Sequence, residues 1–157
     1  MANNVGKTAD FAKKIIETLL NKPGSGITPT PLKVGLLTSL PASYTEPLSG
    51  VDLAAHEYDP GNFRSNALEE TAFGDIAADT GTASVKTSNA NAIIEFPPVP
   101  AGVSFTIYGY CLVKGDSALP ADYLAYEIFP AGSAKRKDVG PNDTIRINQA
   151  DFNLLER

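Results

Sequence analysis

His56 is the chain's single histidine, and it stands in His56-Glu57-Tyr58-Asp59, where a base, two acids and a phenol follow one another. As the base of a Ser–His–Asp arrangement, its imidazole would take the proton of a serine hydroxyl. Such a serine is commonly presented on a Gly-x-Ser-x-Gly turn, and the sequence has none. As a metal site, His56 with Glu57 or Asp59 offers suitable donors, but adjacent residues of one strand or loop seldom converge on one ion. The sequence reading is a solvated loop histidine. Glu69-Glu70, and Asp75 with Asp79, are the acid pairs that could flank a sugar. A glycosidase needs its two carboxyls about 5 to 10 Å apart, whereas adjacent residues on a strand point to opposite faces. Asp75 and Asp79 also miss the ligand spacing and central Gly of a calcium loop. These acids read as solvated surface groups.

Cys111 is the only cysteine. An intrachain disulfide and a CxxC site are therefore excluded, and its place in an apolar strand reads as core packing. Lys135-Arg136-Lys137 is a compact basic run, suited to an acidic partner surface or to a solvated hairpin tip, with Asp138 following at once. Tyr108, Tyr110, Tyr123 and Tyr126 lie close in sequence. They would line an aromatic contact surface if exposed and pack within the sheet if not. No residue qualifies as catalytic, cofactor-binding or metal-ligating.

The elements that hold these residues follow from periodicity. From Thr8 to Leu20, Phe11, Ile15 and Leu19 form one apolar row and Ala12, Ile16 and Leu20 the next, which predicts an amphipathic helix capped by Thr8 and ended at Pro23-Gly24. Leu32, Val34 and Leu36 alternate as in a strand. Region 39–81 is irregular, with Pro41, Pro47, the Asp59-Pro60-Gly61-Asn62 turn and many carboxylates; short strands are expected near Phe63–Leu68. Ala83–Thr87, Ala92–Phe96, Val103–Lys114, Tyr123–Phe129 and Thr144–Ile147 are the further strands. The shift of apolar parity between Ile145/Ile147 and Phe152/Leu154 calls for a bulge or bend near Asn148–Asp151. The expected fold is mainly β: an antiparallel β-sandwich or barrel-like domain with one N-terminal amphipathic helix. The chain reads as a single domain over 1–157, with an arm and helix at 1–23 and the β domain at 32–157.

Composition narrows the partners. The chain has 157 residues, enough for one real core. Thirteen Lys+Arg against 18 Asp+Glu give a formal charge of −5, a sign that phosphate backbones repel. No run approaches the apolar length of a membrane span. The N-terminus shows no apolar signal core. Nucleic acid and membrane are therefore not the expected partners.

Several segments, taken in order, form a pattern. They are the helix Phe11–Leu20, then Leu32-Lys33-Val34-Gly35-Leu36-Leu37-Thr38 with its Pro41 turn, and Gly61-Asn62-Phe63-Arg64. Asn89-Ala90-Asn91 follows, leading into Ile93-Ile94-Glu95-Phe96-Pro97, then the long strand Phe105–Val113, Asp122-Tyr123-Leu124-Ala125-Tyr126, and Val139-Gly140-Pro141-Asn142-Asp143-Thr144-Ile145. This order resembles a family of small tailed-bacteriophage virion structural proteins, tail-fibre-like or decoration-protein-like. Two departures stand out: the aromatic of Phe63-Arg64 is one place closer than in the family pattern, and Pro141 is inserted after Gly140. The resemblance implies a non-enzymatic virion protein without cofactor, made in the host cytoplasm. Its partners would be the major capsid protein or other virion proteins. Decoration (cement) of the capsid by a homo-oligomer, with a trimer favoured, is the first expectation, and a tail, baseplate or fibre component the alternative. The expected partner contacts are Phe11, Ile15, Ile16 and Leu19 on the helix, Tyr44, Phe63 and Arg64 in the irregular region, and Lys135, Arg136 and Lys137.

Overall fold

The computed structural model describes residues 16, 31–43, 48–78 and 85–156. The helix expected over Thr8–Leu20 lies outside these residues except for Ile16, which is helical and buried. Along the described chain the strands are β1 (Leu32–Leu37), β2 (Ala77–Ala78), β3 (Val85–Ser88), β4 (Ile94–Glu95), β5 (Phe105–Ile107), β6 (Gly109–Lys114), β7 (Tyr123–Ile128), β8 (Lys137–Val139), β9 (Arg146–Ile147) and β10 (Asn153–Glu156), and helix α1 is Gly50–His56. The fold is mainly β, in antiparallel sheets of order β1-β6-β7, β10-β3-β2, β4-β9 and β5-β8. None of these closes into a barrel. The chain packs as two compact units, one of Pro31–Ala67 and Ile94–Arg146, the other containing Leu68–Ile93 and Ile147–Arg157.

In the first unit β1 is buried along most of its length. Leu32, Val34 and Leu36 are buried, as the alternation requires, but Gly35 and Leu37 on the other face are buried as well. That second face receives Leu37, Cys111 and Val113 of the sheet together with Leu48, Leu53 of α1 and Tyr123. Aromatic rings add a further contact set: Tyr58 meets Phe105 at 4.6 Å and Phe63 at 5.2 Å between centroids, favourable separations for ring pairs. One edge of β1 pairs β6, with Gly35 opposite Cys111 and Leu36 opposite Tyr110. The other edge is covered by residues 56–65. There Thr38 N donates to His56 O (3.1 Å), Tyr58 N to Leu36 O (2.9 Å) and Ser65 N to Val34 O (3.0 Å).

α1 corrects the sequence reading of region 39–81. Ser49 caps it: Ser49 Oγ accepts from Asp52 N at 3.1 Å, and the Asp52 carboxylate accepts from Ser49 N at 3.0 Å. This capping box explains a helix of seven residues, too short to stand on propensity alone. The strand expected over Val103–Lys114 is also interrupted. At Tyr108, whose N donates to Leu37 O and whose O accepts from Phe129 N, it divides into β5, paired with β8, and β6, paired with β7. Gly109 is needed just there, because a Cβ would lie 2.2 Å from Glu127 O.

The second unit is organised around Asn89, which is fully buried. Its Nδ2 donates to Ala92 O and Asn148 O, each at 2.9 Å, and its Oδ1 accepts from Phe152 N at 2.9 Å. One amide thus ties the end of β3 to the approach of β10. The chain reverses at Ala150, φ 66°, after which Phe152 and Leu154 are buried, as is Ile147 before it. The bend expected near Asn148–Asp151 is present.

Candidate functional site

The residues best equipped for chemistry gather in the first unit, around the covered edge of β1. Glu57 and Arg64 flank the turn at Asp59-Pro60-Gly61-Asn62, where Asp59 (φ 44°) and Gly61 (φ 82°) adopt left-handed backbone. Both residues bridge to β1, Glu57 opposite Leu37 and Arg64 opposite Gly35. The turn thereby brings their side chains together inside the unit. Arg64 Nε donates to Glu57 Oε1 at 2.8 Å and Nη2 to Glu57 Oε2 at 2.9 Å, a two-point pair. Arg64 Nη1 donates to Gly115 O at 2.9 Å, and Nη2 also reaches the Tyr123 hydroxyl at 3.2 Å. Tyr123 in turn donates to Glu57 Oε2. The two charged side chains are 1% and 0% exposed.

Space for the pair comes from Gly35. A Cβ there would lie 2.1 Å from Glu57 Oε1 and 2.9 Å from Cys111 Sγ. Burial pushes the Cys111 thiol's pKa well up, and the Glu57 charge adds to it. Burial also raises that of the Tyr123 phenol, helped by its hydrogen bond to Glu57. For Arg64, burial works to lower the pKa, but the hydrogen bonds and charge of Glu57 outweigh it and hold the guanidinium protonated. Thiol and phenol are thus kept neutral, and the acid and base are spent on each other. Such an arrangement is unsuited to nucleophilic chemistry, which needs an ionised or base-assisted group within reach of substrate. It is well suited to locking a loop onto a strand.

His56 is not a free loop residue. It ends α1, half-exposed, with Nδ1 2.7 Å from Ser39 Oγ. This serine was not singled out in the sequence, and no spacing signal marks it; the helix that sets His56 beside the end of β1 was itself unforeseen. Asp52, one turn earlier, spends its carboxylate on Ser49, whose hydrogen bonds hold its pKa below the ordinary 3.8. Among the described residues no group of three or more His, Cys, Asp or Glu is placed to hold a metal ion, and no helix is long and apolar enough to cross a membrane.

The expected partner contacts scatter. Phe11, Ile15, Leu19 and Tyr44 lie outside the described residues. Phe63 and Arg64 are buried within their own unit, so as placed here they present no surface to a partner. In the basic run, Lys135 Nζ is 2.7 Å from Glu127 Oε1 and 5.5 Å from the Phe129 ring centre. Arg136 lies over Tyr108 at 4.9 Å and donates to Phe129 O. Lys137 is exposed at the start of β8. Two of the three charges thus turn toward their own sheet. The tyrosines do not form an exposed surface either: Tyr110 and Tyr123 are buried, and Tyr108 and Tyr126 are half-buried. Glu69 and Asp75 are exposed, while Asp79 lies outside the described residues.

No known protein family matches the chain, and no curated protein matches it.

Proposed function

We propose that this protein is a non-enzymatic structural component of a tailed-phage virion, a decoration (cement) protein that bridges and stabilises capsomers. The observation that supports this reading is the use made of the reactive side chains. Glu57, Arg64 and Tyr123 are consumed in holding the covered edge of β1, and Cys111 is buried in the apolar cluster. The motifs that carry the family resemblance sit at joints of the fold. Phe63-Arg64 closes the loop over β1, and Asn89 ties β3 to the approach of β10. Asp143 O accepts from Val99 N, and its carboxylate accepts from Gly140 N. A body braced in this way suits a protein that acts by shape and contact.

In this reading a helix over Thr8–Leu20, on a β-sandwich body, remains the proposed capsid arm. Val51 and Leu119 add exposed apolar area, at 63% and 67%. An oligomer binds through several linked contacts, so modest contacts combine through effective concentration. Apolar burial at about 25 cal/mol per Å2 then resists separation of the shell. The tail, baseplate or fibre alternative would rest on an exposed tyrosine cluster. With Tyr110 buried and Tyr108 beneath Arg136, that support is missing among the described residues.

The test is sedimentation of purified protein with capsids assembled without it. Saturable, stoichiometric pelleting is expected, with no turnover of esters, peptides or glycans. Protein that stays in the supernatant yet binds host cells overturns the cement reading.

A further inference from the structure

The edges of the sheets are treated unequally. The free edge of β1 is covered by residues 56–65, and that of β4 by Asn66, which exchanges hydrogen bonds with Glu95. β2, β4, β5, β8 and β9 have two or three residues each, and β10 has four. β7 is the exception. It has six residues, Tyr123-Leu124-Ala125-Tyr126-Glu127-Ile128, and it ends the order β1-β6-β7. Its inner edge pairs β6. Among the described residues, no backbone group of residues 124–128 bonds outward. The strand carries one charge and no Pro or Gly. Short length, charge, Pro, bulges and covering loops are the devices that keep edges from pairing; β7 has one charge and a bulge at its start, opposite Leu112/Val113, and from Ala125 to Ile128 its edge runs in regular register.

We infer that the outer edge of β7 pairs antiparallel with β7 of a second copy, extending the three-stranded sheet to six strands across a twofold axis. The occupant follows from self-complementarity. A twofold axis perpendicular to the sheet keeps each side chain on its own face, so residues of like parity must meet. Centring the axis on Tyr126 sets Tyr126 against Tyr126 and Ala125 against Glu127, all within the regular part of the strand beyond the bulge at Leu124. Tyr126 and Ile128 already pack against the apolar cluster under α1, so their face continues as an apolar one across the junction. On the other face each Glu127 meets an alanine rather than its own copy, and no like charges stand opposite, as stable cross-strand pairs require. This pair is twofold, unlike the trimer implied by the family resemblance, and it does not depend on the capsid reading.

The register makes the test specific. Sedimentation equilibrium over a concentration series is expected to show a monomer–dimer equilibrium for the unaltered chain. Ala125→Glu places an acid opposite Glu127 on both sides of the axis and should weaken the dimer by about tenfold in Kd. Ala125→Lys, equally large, should hold or tighten it. Circular dichroism melts matching the unaltered chain confirm that both variants fold; should either fail, Ala125→Thr with Glu127→Ala, which remove the charge contrast, should bind alike. A chain that stays monomeric at every concentration, a trimer, or a dimer indifferent to the sign of residue 125 overturns the pairing.

Discussion

Replacing Arg64 by Met is the sharpest perturbation of the first unit. The substitution keeps most of the side chain's bulk and removes every donor. Glu57, 0% exposed in its side chain, then loses both hydrogen bonds from the guanidinium, and Gly115 O loses its bond from Nη1. Only Tyr123 remains to donate to the carboxylate. Breaking a buried pair from one side costs about 3–5 kcal/mol, because the remaining charge stays in low dielectric. That is a large share of a domain's usual stability of roughly 5–15 kcal/mol. Replacing both partners, as Glu57→Leu with Arg64→Met, leaves no stranded charge. It should cost far less than the sum of the single changes. Urea unfolding followed by far-UV circular dichroism and by tyrosine fluorescence (the chain has no Trp) measures all four proteins. An Arg64→Met variant within about 1 kcal/mol of the parent, or strict additivity in the double variant, would refute the reasoning.

Other expected outcomes follow from the same structure. Gly35→Ala drives a Cβ to 2.1 Å from Glu57 Oε1 and should lower stability by about 1–3 kcal/mol or more, read by urea midpoint. Asn89→Ala leaves Phe152 N and two carbonyls without their partner; at roughly 1–3 kcal/mol for a buried group left unpaired, the second unit should melt distinctly lower. Stability should also fall in alkali. The folded-state pKa values of Cys111 and Tyr123 are raised above their ordinary 9.0 and 10.0, so the unfolded chain ionises first. Their contribution is then complete below pH 9.0 and is lost as pH rises beyond it. In Cys111→Ala the decline should begin nearer pH 10.0, the ordinary value for Tyr123, seen in melting temperatures taken across the alkaline range. Finally, Ser49→Ala removes the cap of α1 and should cost about 0.5–2 kcal/mol, read from the urea transition.

The legible parts of the fold were those governed by local pattern. β1, β3, β6, β7 and β9 fall where apolar alternation put strands, and the turn at Asp59–Asn62 and the bend at Ala150 fall where their residues and the parity shift put them. α1 was missed because seven residues offer only two turns of periodicity. Its signal was the Ser49-x-x-Asp52 capping box, which is weak in a region full of Pro and carboxylates. The break at Tyr108 was hidden because alternation continues through it; only pairing with different partners on either side divides the strand. The joining of Glu57 with Arg64 had a sequence trace, an acid and a base on either side of a tight turn. Tyr123, 66 residues from Glu57, had none. Without such a trace a charged residue defaults to solvent, so the sequence puts Arg64 on a partner surface, whereas its partner in the structure lies seven positions back along the chain.

A cement protein is a repeated part of a particle shell and is present in many copies. Quantitative mass spectrometry of purified virions counts copies against the major capsid protein, and the symmetry of a shell repeats each capsomer junction many times. The proposal predicts copies in the hundreds, in fixed ratio to the capsid protein. A few to a few dozen copies, or none at all, would contradict it.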